Sequence, residues 1–450
     1  MKNLGLIRYA VTIGAASAML TACGGSQGPV GALSATRPSS LEVQHPENGE
    51  AKGQVKLLYG FTDSPDGAEP YSGVVALTKR EAPPPSPRLI GTTLMGGDSN
   101  NDGTVYGLTA GEKGSWTESV LYSLKGVSIG DGSEPTGIFF NPKEYQFLVT
   151  TVGGGTYGAG TLIALAPNGS GPWTESFLYS FGFPPDGAGP YGAVIADKAG
   201  NLFGTTSAGG ANGAGTVYRM QPKGSSYTES VLYSFKSGTD GANPHAGLII
   251  DEKGALYGTT VGGGSSSFGT VFKLTPSGSA YKESILYSFQ GPPNDGAEPY
   301  GGLTVVGKLP LTANGKVIGM SSSGGNKGFG ILYELTPSGS SYKESVLWNF
   351  GSVSGDGAHP YGGVVVNKKG VIYGTTTSGG SGGSSGLGTF FTLTPSGSTY
   401  KESVYSFTGA NGATPYAGLS IDSQGHGYLT TAAGGKKGHG VIGIAAGSDF

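Results

Sequence analysis

Seven positions in this chain could gather into one site. They follow the prolines of a recurring turn, Asp-Gly-Ala-x-Pro-Tyr and close variants, and are Tyr71, Thr136, Tyr191, His245, Tyr300, Tyr361 and Tyr416. Tyrosine joins a flat apolar face to a hydroxyl, which suits a sugar or a peptide. If the strand after each turn is the innermost of its unit, these residues meet at one mouth of a central channel. Tyr71, Tyr191, His245, Tyr300, Tyr361 and Tyr416 would then form an aromatic rim for a ligand. A residue repeated in every unit can equally be a packing element that fixes the turn against the next unit. Both readings stand at the level of sequence.

Other chemistry is sparser. Asp98, Asn100 and Asp102, with Gly103 after them, match the start of a calcium loop, in which oxygen ligands alternate before a sharp glycine bend. The ninth and twelfth positions are Tyr106 and Thr109, so the bidentate acid is missing and a plain hairpin link competes with a Ca²⁺ site. The turn aspartates Asp66, Asp131, Asp186, Asp240, Asp295 and Asp356 each precede glycine, where an Asp side chain bonds backbone amides. Glu118, Glu175, Glu229, Glu283, Glu344 and Glu402 recur singly on expected outer strands, which suits blade structure rather than a glycosidase pair. The five histidines (His45, His245, His359, His426, His439) lack metal-ligand spacing, and no serine sits in a nucleophile elbow. No catalytic residue and no firm cofactor emerges.

The elements that must position these residues repeat with the turn. It starts at Asp66, Asp131, Asp186, Asp240, Asp295 and Asp356, and once more, with asparagine, at Asn411. A period of about 55 residues signals a repeat fold whose units bury their faces against one another. In the clearest unit, Ala246–Asp251, Ala255–Thr260, Gly269–Pro276 and Tyr281–Phe289 are rich in β-branched and aromatic residues and bounded by turns. The last alternates, so Tyr281, Glu283, Ile285, Tyr287 and Phe289 are expected on one face. Seven units of four antiparallel strands predict an all-β, seven-bladed β-propeller.

The phase of the repeat predicts how the ring closes. Val55-Lys-Leu-Leu-Tyr-Gly-Phe61 matches the fourth strand of other units, such as Val231–Phe235. The C-terminal stretches Gly418–Asp422, His426–Thr431 and Gly440–Ile444 match strands one to three. The N-terminal strand is therefore expected to complete the last blade and remove a free sheet edge. Two insertions, Arg80–Arg88 and Gly307–Gly315, predict surface loops.

Glycine is extreme at 87 of 450 residues, but it falls at turn positions between apolar strands rather than in a disordered pattern. The formal net charge is −3 and no basic run occurs, which argues against a nucleic-acid partner. Lys2 and Arg8 precede an apolar stretch, Tyr9–Leu20, that ends in Leu20-Thr21-Ala22-Cys23. This resembles a lipobox, which implies that residues 1–22 are a lipoprotein signal peptide and that Cys23 carries lipid. Residues 23–53 read as the lipidated cysteine and a flexible tether, and 54–450 as the propeller. Cys23 is the only cysteine, so no intrachain disulfide is possible.

The repeated Leu-Tyr-Gly-Thr-Thr, Gly-Thr-Val-Phe-Lys-Leu-Thr-Pro and Glu-Ser-x-Leu-Tyr-Ser-Phe segments resemble the Gloeo_Verruco (GloVer) repeat of bacterial choice-of-anchor surface proteins. The resemblance is best kept at Leu256–Phe289 and weakest where Phe147–Thr151 replaces the Tyr-Gly form. It implies an exported, tethered repeat protein and supplies no catalytic residues. The expectation is a lipid-anchored binding or scaffold module at the outer membrane or cell surface, with a glycan, peptide or envelope protein as partner. The alternative is a propeller enzyme acting on a carbohydrate or lactone at the channel mouth, since fold alone does not fix function.

Overall fold

The computed structural model describes residues 55–78, 81, 87–169, 171–224, 226–278, 280–306, 315–339 and 341–445. The expected leader, Cys23 and the tether lie outside the described residues, as do positions 80, 82–86 and 307–314 of the two expected loops. The described residues hold strands and three short 3₁₀ turns, with no α-helix.

The strands form seven four-stranded antiparallel sheets. They are blade 1 (75–123), blade 2 (132–180), blade 3 (195–234), blade 4 (249–288), blade 5 (304–349), blade 6 (365–406) and blade 7 (420–445 with Val55–Gly60). The protein is a seven-bladed β-propeller. Val55–Gly60 pairs antiparallel with Val441–Ala445 and supplies the fourth strand of blade 7.

Blades pack face to face through apolar side chains. The phenylalanine that ends the fourth strand in six blades drives into the next blade, and Leu124 takes its place in blade 1. Phe61 meets Tyr106 edge-on at 4.9 Å, Phe181 meets Tyr218 at 5.0 Å, and Phe289 meets Tyr333 at 5.0 Å. All six of these rings are fully buried, and each such pair adds about 0.5–1.5 kcal/mol beyond area burial.

Nearer the axis, a threonine hydroxyl of the second strand in six blades reaches the innermost chain of the following blade. Thr92 donates to Pro135 O at 3.2 Å, Thr150 to Gly192 O at 3.2 Å, Thr205 to Ala246 O at 2.9 Å, and Thr259 to Gly301 O at 3.2 Å. Thr375 bonds Ala417 O at 2.7 Å, and Thr430 closes the circle on Ser72 O at 2.9 Å. Blade 5 has Met320 at this position, and there Thr304 bonds Val364 O instead.

The structure departs from the sequence reading in two places. The innermost strands are two or three residues long in six blades, such as Ile249–Ile250. Their first halves run against neighbouring backbone rather than along a ladder. At Gly362, for instance, a Cβ would strike the backbone of Gly418, so glycine is required there.

The fourth strand also does not alternate throughout. Ile285 pairs with Phe272 and Tyr287 with Val271, so Leu286 is an extra, bulged residue. The bulge reverses the facing. Tyr281 and Ile285 pack towards blade 3, while Leu286, Tyr287 and Phe289 pack towards blade 5. Blade 6 reads Ser403-Val404-Tyr405, lacks this leucine, and has no bulge.

A girdle of side chains at the channel mouth

The turns at Asp131, Asp186, Asp240 and Asp295 are built the same way, while Asp66 lacks the glycine amide, Asp356 has Trp348 where the others have tyrosine, and Asn411 replaces the aspartate. In Asp186, one carboxylate oxygen accepts the Tyr179 hydroxyl at 3.1 Å and the Gly182 amide at 2.8 Å, while the other accepts the Gly187 amide at 2.6 Å. The turn aspartates thus act as backbone-amide acceptors, the turn-building role read from their glycine neighbours. The following Gly-Ala then pairs with the Gly-rich link between strands two and three of its own blade, as Gly187–Ala188 does with Ala208–Gly209.

The next residue, the x of the motif, is left-handed in every blade. Its φ is 58° at Glu69, 57° at Glu134, 65° at Gly189, 57° at Asn243, 59° at Glu298, 54° at His359 and 55° at Thr414. Its amide reaches the preceding blade: Glu69 N to His439 O at 3.0 Å, Glu134 N to Asp102 O at 2.9 Å, Glu298 N to Phe268 O at 2.9 Å. Glycine suits this conformation, yet only one blade uses it. Six side chains are kept at a backbone position that costs each of them about 1 kcal/mol or more.

Proline then aims the next residue at the axis. Tyr71, Thr136, Tyr191, His245, Tyr300, Tyr361 and Tyr416, one from every blade, line a single cavity of about 290 Å³. The six rings form a continuous arc. Tyr191 meets His245 at 4.4 Å, His245 meets Tyr300 at 5.2 Å, and Tyr300 meets Tyr361 at 4.6 Å. Tyr361 meets Tyr416 at 5.5 Å, and Tyr416 stacks on Tyr71 at 4.7 Å. The buried Thr136 interrupts the arc.

The rings fall into three stacked or tilted pairs set nearly on edge to one another. Each ring therefore has one face covered by its stacking partner, which leaves a smaller flat platform than six separate rings would offer a sugar. The five tyrosines bring both ring carbon and hydroxyl to the residues that line the cavity. Among the described residues, none of the hydroxyls of Tyr71, Tyr191, Tyr300, Tyr361 and Tyr416 has a hydrogen-bond partner.

Burial, before any charge, pushes all five phenols up, so they remain protonated at neutral pH. Carboxylates of the x position act next on three of them, Glu134 on Tyr191, Glu69 on Tyr416 and Glu298 on Tyr300, whereas at Tyr361 the phenols of Tyr300 and Tyr416 come before Glu298 and at Tyr71 only neighbouring phenols add to burial. Burial also lowers His245 to about 4, so its imidazole is neutral at physiological pH. Glu69 and Glu134 are themselves raised by burial; His439 partly offsets this at Glu69. Glu298 accepts from Ser323 Oγ at 3.0 Å.

Sequence reasoning found the tyrosines and passed over the x residues. The available signal was variation (Glu, Glu, Gly, Asn, Glu, His, Thr) at one place in an otherwise constant motif.

The remaining residues singled out lie elsewhere. Asp98, Asn100 and Asp102 sit in the link between strands two and three of blade 1. Asp98 Oδ1 accepts the Asn100 amide at 2.9 Å, and Asn100 Nδ2 reaches Lys125 O at 3.4 Å. Burial first, then Asp98 and Asp131, raises the Asp102 carboxyl. Among the described residues, no three acidic, histidine or cysteine side chains converge as metal ligands. The glutamates of the fourth strands each turn one carboxyl oxygen out of water without a hydrogen-bond partner.

Antiparallel order places the strand two–three links and the turns on the same face as this mouth. Eight of the eleven exposed large apolar side chains among the described residues come from those segments. Phe183 is 74% exposed and Ile129 64%. Phe183 touches Tyr157 at 5.5 Å, so the two form an exposed aromatic pair.

Fold and site together define a β-propeller repeat protein with a tyrosine-lined channel mouth. The chain belongs to the Gloeobacter/Verrucomicrobia repeat family, whose model matches residues 85–309 and 306–445. No curated protein sequence matches it. Among solved structures it is similar to a proposed 6-phosphogluconolactonase of Bacteroides uniformis, at 14% identity and TM-score 0.45, over 74% of this chain and 85% of that one. It is also similar to a proposed oxidoreductase (glucose dehydrogenase) of Thermus thermophilus, at 14% identity and TM-score 0.41, over 69% of this chain and 96% of that one. An ancestral GH74 enzyme overlaps at 12% identity and TM-score 0.47, over 82% of this chain and 58% of that one. Overlap at this level says nothing about chemistry.

Proposed function

We propose that this protein is a non-enzymatic binding module of the cell envelope that engages its partner with the mouth face. The observation that carries this reading is the convergence of one rim residue from each blade on a single cavity. Exposed apolar side chains around that mouth support a partner larger than the cavity itself. Export and lipid attachment through Cys23 belong to the same proposal and rest on the N-terminal sequence alone.

The catalytic alternative has less behind it. The carboxylates nearest the rim come from separate blades, and the rim imidazole is packed between two tyrosines. The test is an array of glycans and peptides probed with the full-length protein, with and without Ca²⁺. A ligand lost on joint replacement Tyr300→Ala and Tyr361→Ala supports the reading. A ligand retained by that variant, or silence under both conditions, counts against a recognition role for the mouth.

A further inference from the structure

We propose that the mouth recognises a primary ammonium group carried on an unbranched apolar stem, such as a lysine side chain of the partner. This rests on the mouth being the ligand site and names the chemistry it reads.

The five rim hydroxyls have no hydrogen-bond partner among the described residues, and their oxygens can accept the three N–H groups of an ammonium. The ring carbons of the lining tyrosines supply an apolar wall for the stem. Glu69, Glu134 and Glu298 flank the rings on left-handed backbone, each in a different blade. They bring negative charge to the lip, where it both attracts a cation and strengthens its hydrogen bonds. The imidazole of His245 adds no opposing charge at neutral pH.

The same geometry disfavours the rivals. A quaternary ammonium is caged by several open ring faces, and here each ring turns one face onto its stacking partner. An anion would be repelled by the negative charge of the three carboxylates beside the rings. A cavity of about 290 Å³ takes one side chain of a partner but no folded element.

The probes are n-butylamine, n-butanol and tetramethylammonium, each titrated into the full-length protein by ligand-observed NMR at low ionic strength. Butylamine should bind at least about ten times more tightly than the other two, a gap of about 1.4 kcal/mol. The joint replacement Glu69→Gln, Glu134→Gln and Glu298→Gln should weaken it at least about tenfold with the melting temperature kept; Glu134→Gln alone serves if the triple variant does not fold. Equal binding of butanol or tetramethylammonium, or no loss in the glutamine variants, overturns the inference. If an array ligand depends on Tyr300 and Tyr361 while butylamine neither binds nor displaces it, the site stands and the ammonium reading falls. If no probe binds and the array is silent, both fall.

Discussion

The Thr430 hydroxyl donates to the Ser72 carbonyl at 2.9 Å, across the junction where the last blade meets the first. It is the same bond that Thr205 makes to Ala246 inside the chain. The closure is therefore an ordinary blade junction, with Phe61 N on Gly440 O at 3.0 Å and Val55–Gly60 completing the sheet. Thr430→Val keeps the shape and removes the donor, leaving a buried carbonyl unmet. It should cost about 1–3 kcal/mol in urea unfolding. Removing residues 54–62 should cost far more, because loss of the buried Phe61 ring alone is worth about 3–5 kcal/mol. An unchanged unfolding midpoint in the truncated chain would refute closure by the N-terminal strand.

Stability should rise as pH falls from about 8 towards about 5. Burial, reinforced by a neighbouring turn aspartate, raises Glu118 from 4.5 to about 8 and Glu229, Glu283 and Glu344 to about 7. Glu402 is raised by burial and by Asp356. Between the unfolded and folded values the native state holds more protons than the unfolded chain, so acidification stabilises it. The benefit is complete below about 4.5 and lost as pH rises through the folded values. His245, lowered from 6.5 to about 4, opposes this as pH falls through that range, but it is one group against five. Calorimetric melting temperatures measured across pH 5–8 test this. A melting temperature that is flat or rises with pH would contradict it, and Glu283→Gln should flatten the slope.

Leucine marks the bulge of the fourth strand in six blades, as at Leu121, Leu232 and Leu286, and is missing from blade 6. Inserting leucine between Val404 and Tyr405 should recreate the bulge and bury the new side chain against blade 7. Full burial of a leucine is worth about 1.5–3 kcal/mol, and a partly exposed one about half that. A higher melting temperature with unchanged cooperativity is expected. A lower one would show that blade 6 depends on its flat strand.

Glu134 has φ 57°, and its carboxylate accepts no hydrogen bond from another described residue. Glu134→Gly should relieve the left-handed strain and stabilise the fold by about 1 kcal/mol, as Gly189 already does in the neighbouring turn. The same change should weaken ligand capture at the mouth. Gain of stability with capture intact would mean that the side chain serves no recognition purpose.

Much of this architecture was legible because repeat, phase and turn chemistry are local properties. The likeness of Val55–Phe61 to Val231–Phe235 predicts closure, and the Pro-Tyr spacing predicts that Tyr300 and Tyr361 come together. Strand periodicity, in contrast, places Tyr287 on the same side as Ile285. That fails because a bulge depends on the partner strand, and Phe272 and Val271 decide the register.

The amino-acid sequence by itself determined the number of blades, the strands within each, and which residue of every turn faces the axis. Only the tertiary structure decided what those residues present there. The spacing of the blades sets how closely neighbouring rings stack, and with centroids 4.4–4.7 Å apart each ring covers one face of its partner. It also decided that the variable residue beside each proline stands left-handed at the lip. That conformation follows from a hydrogen bond to the preceding blade, a partner that no spacing along the chain reveals.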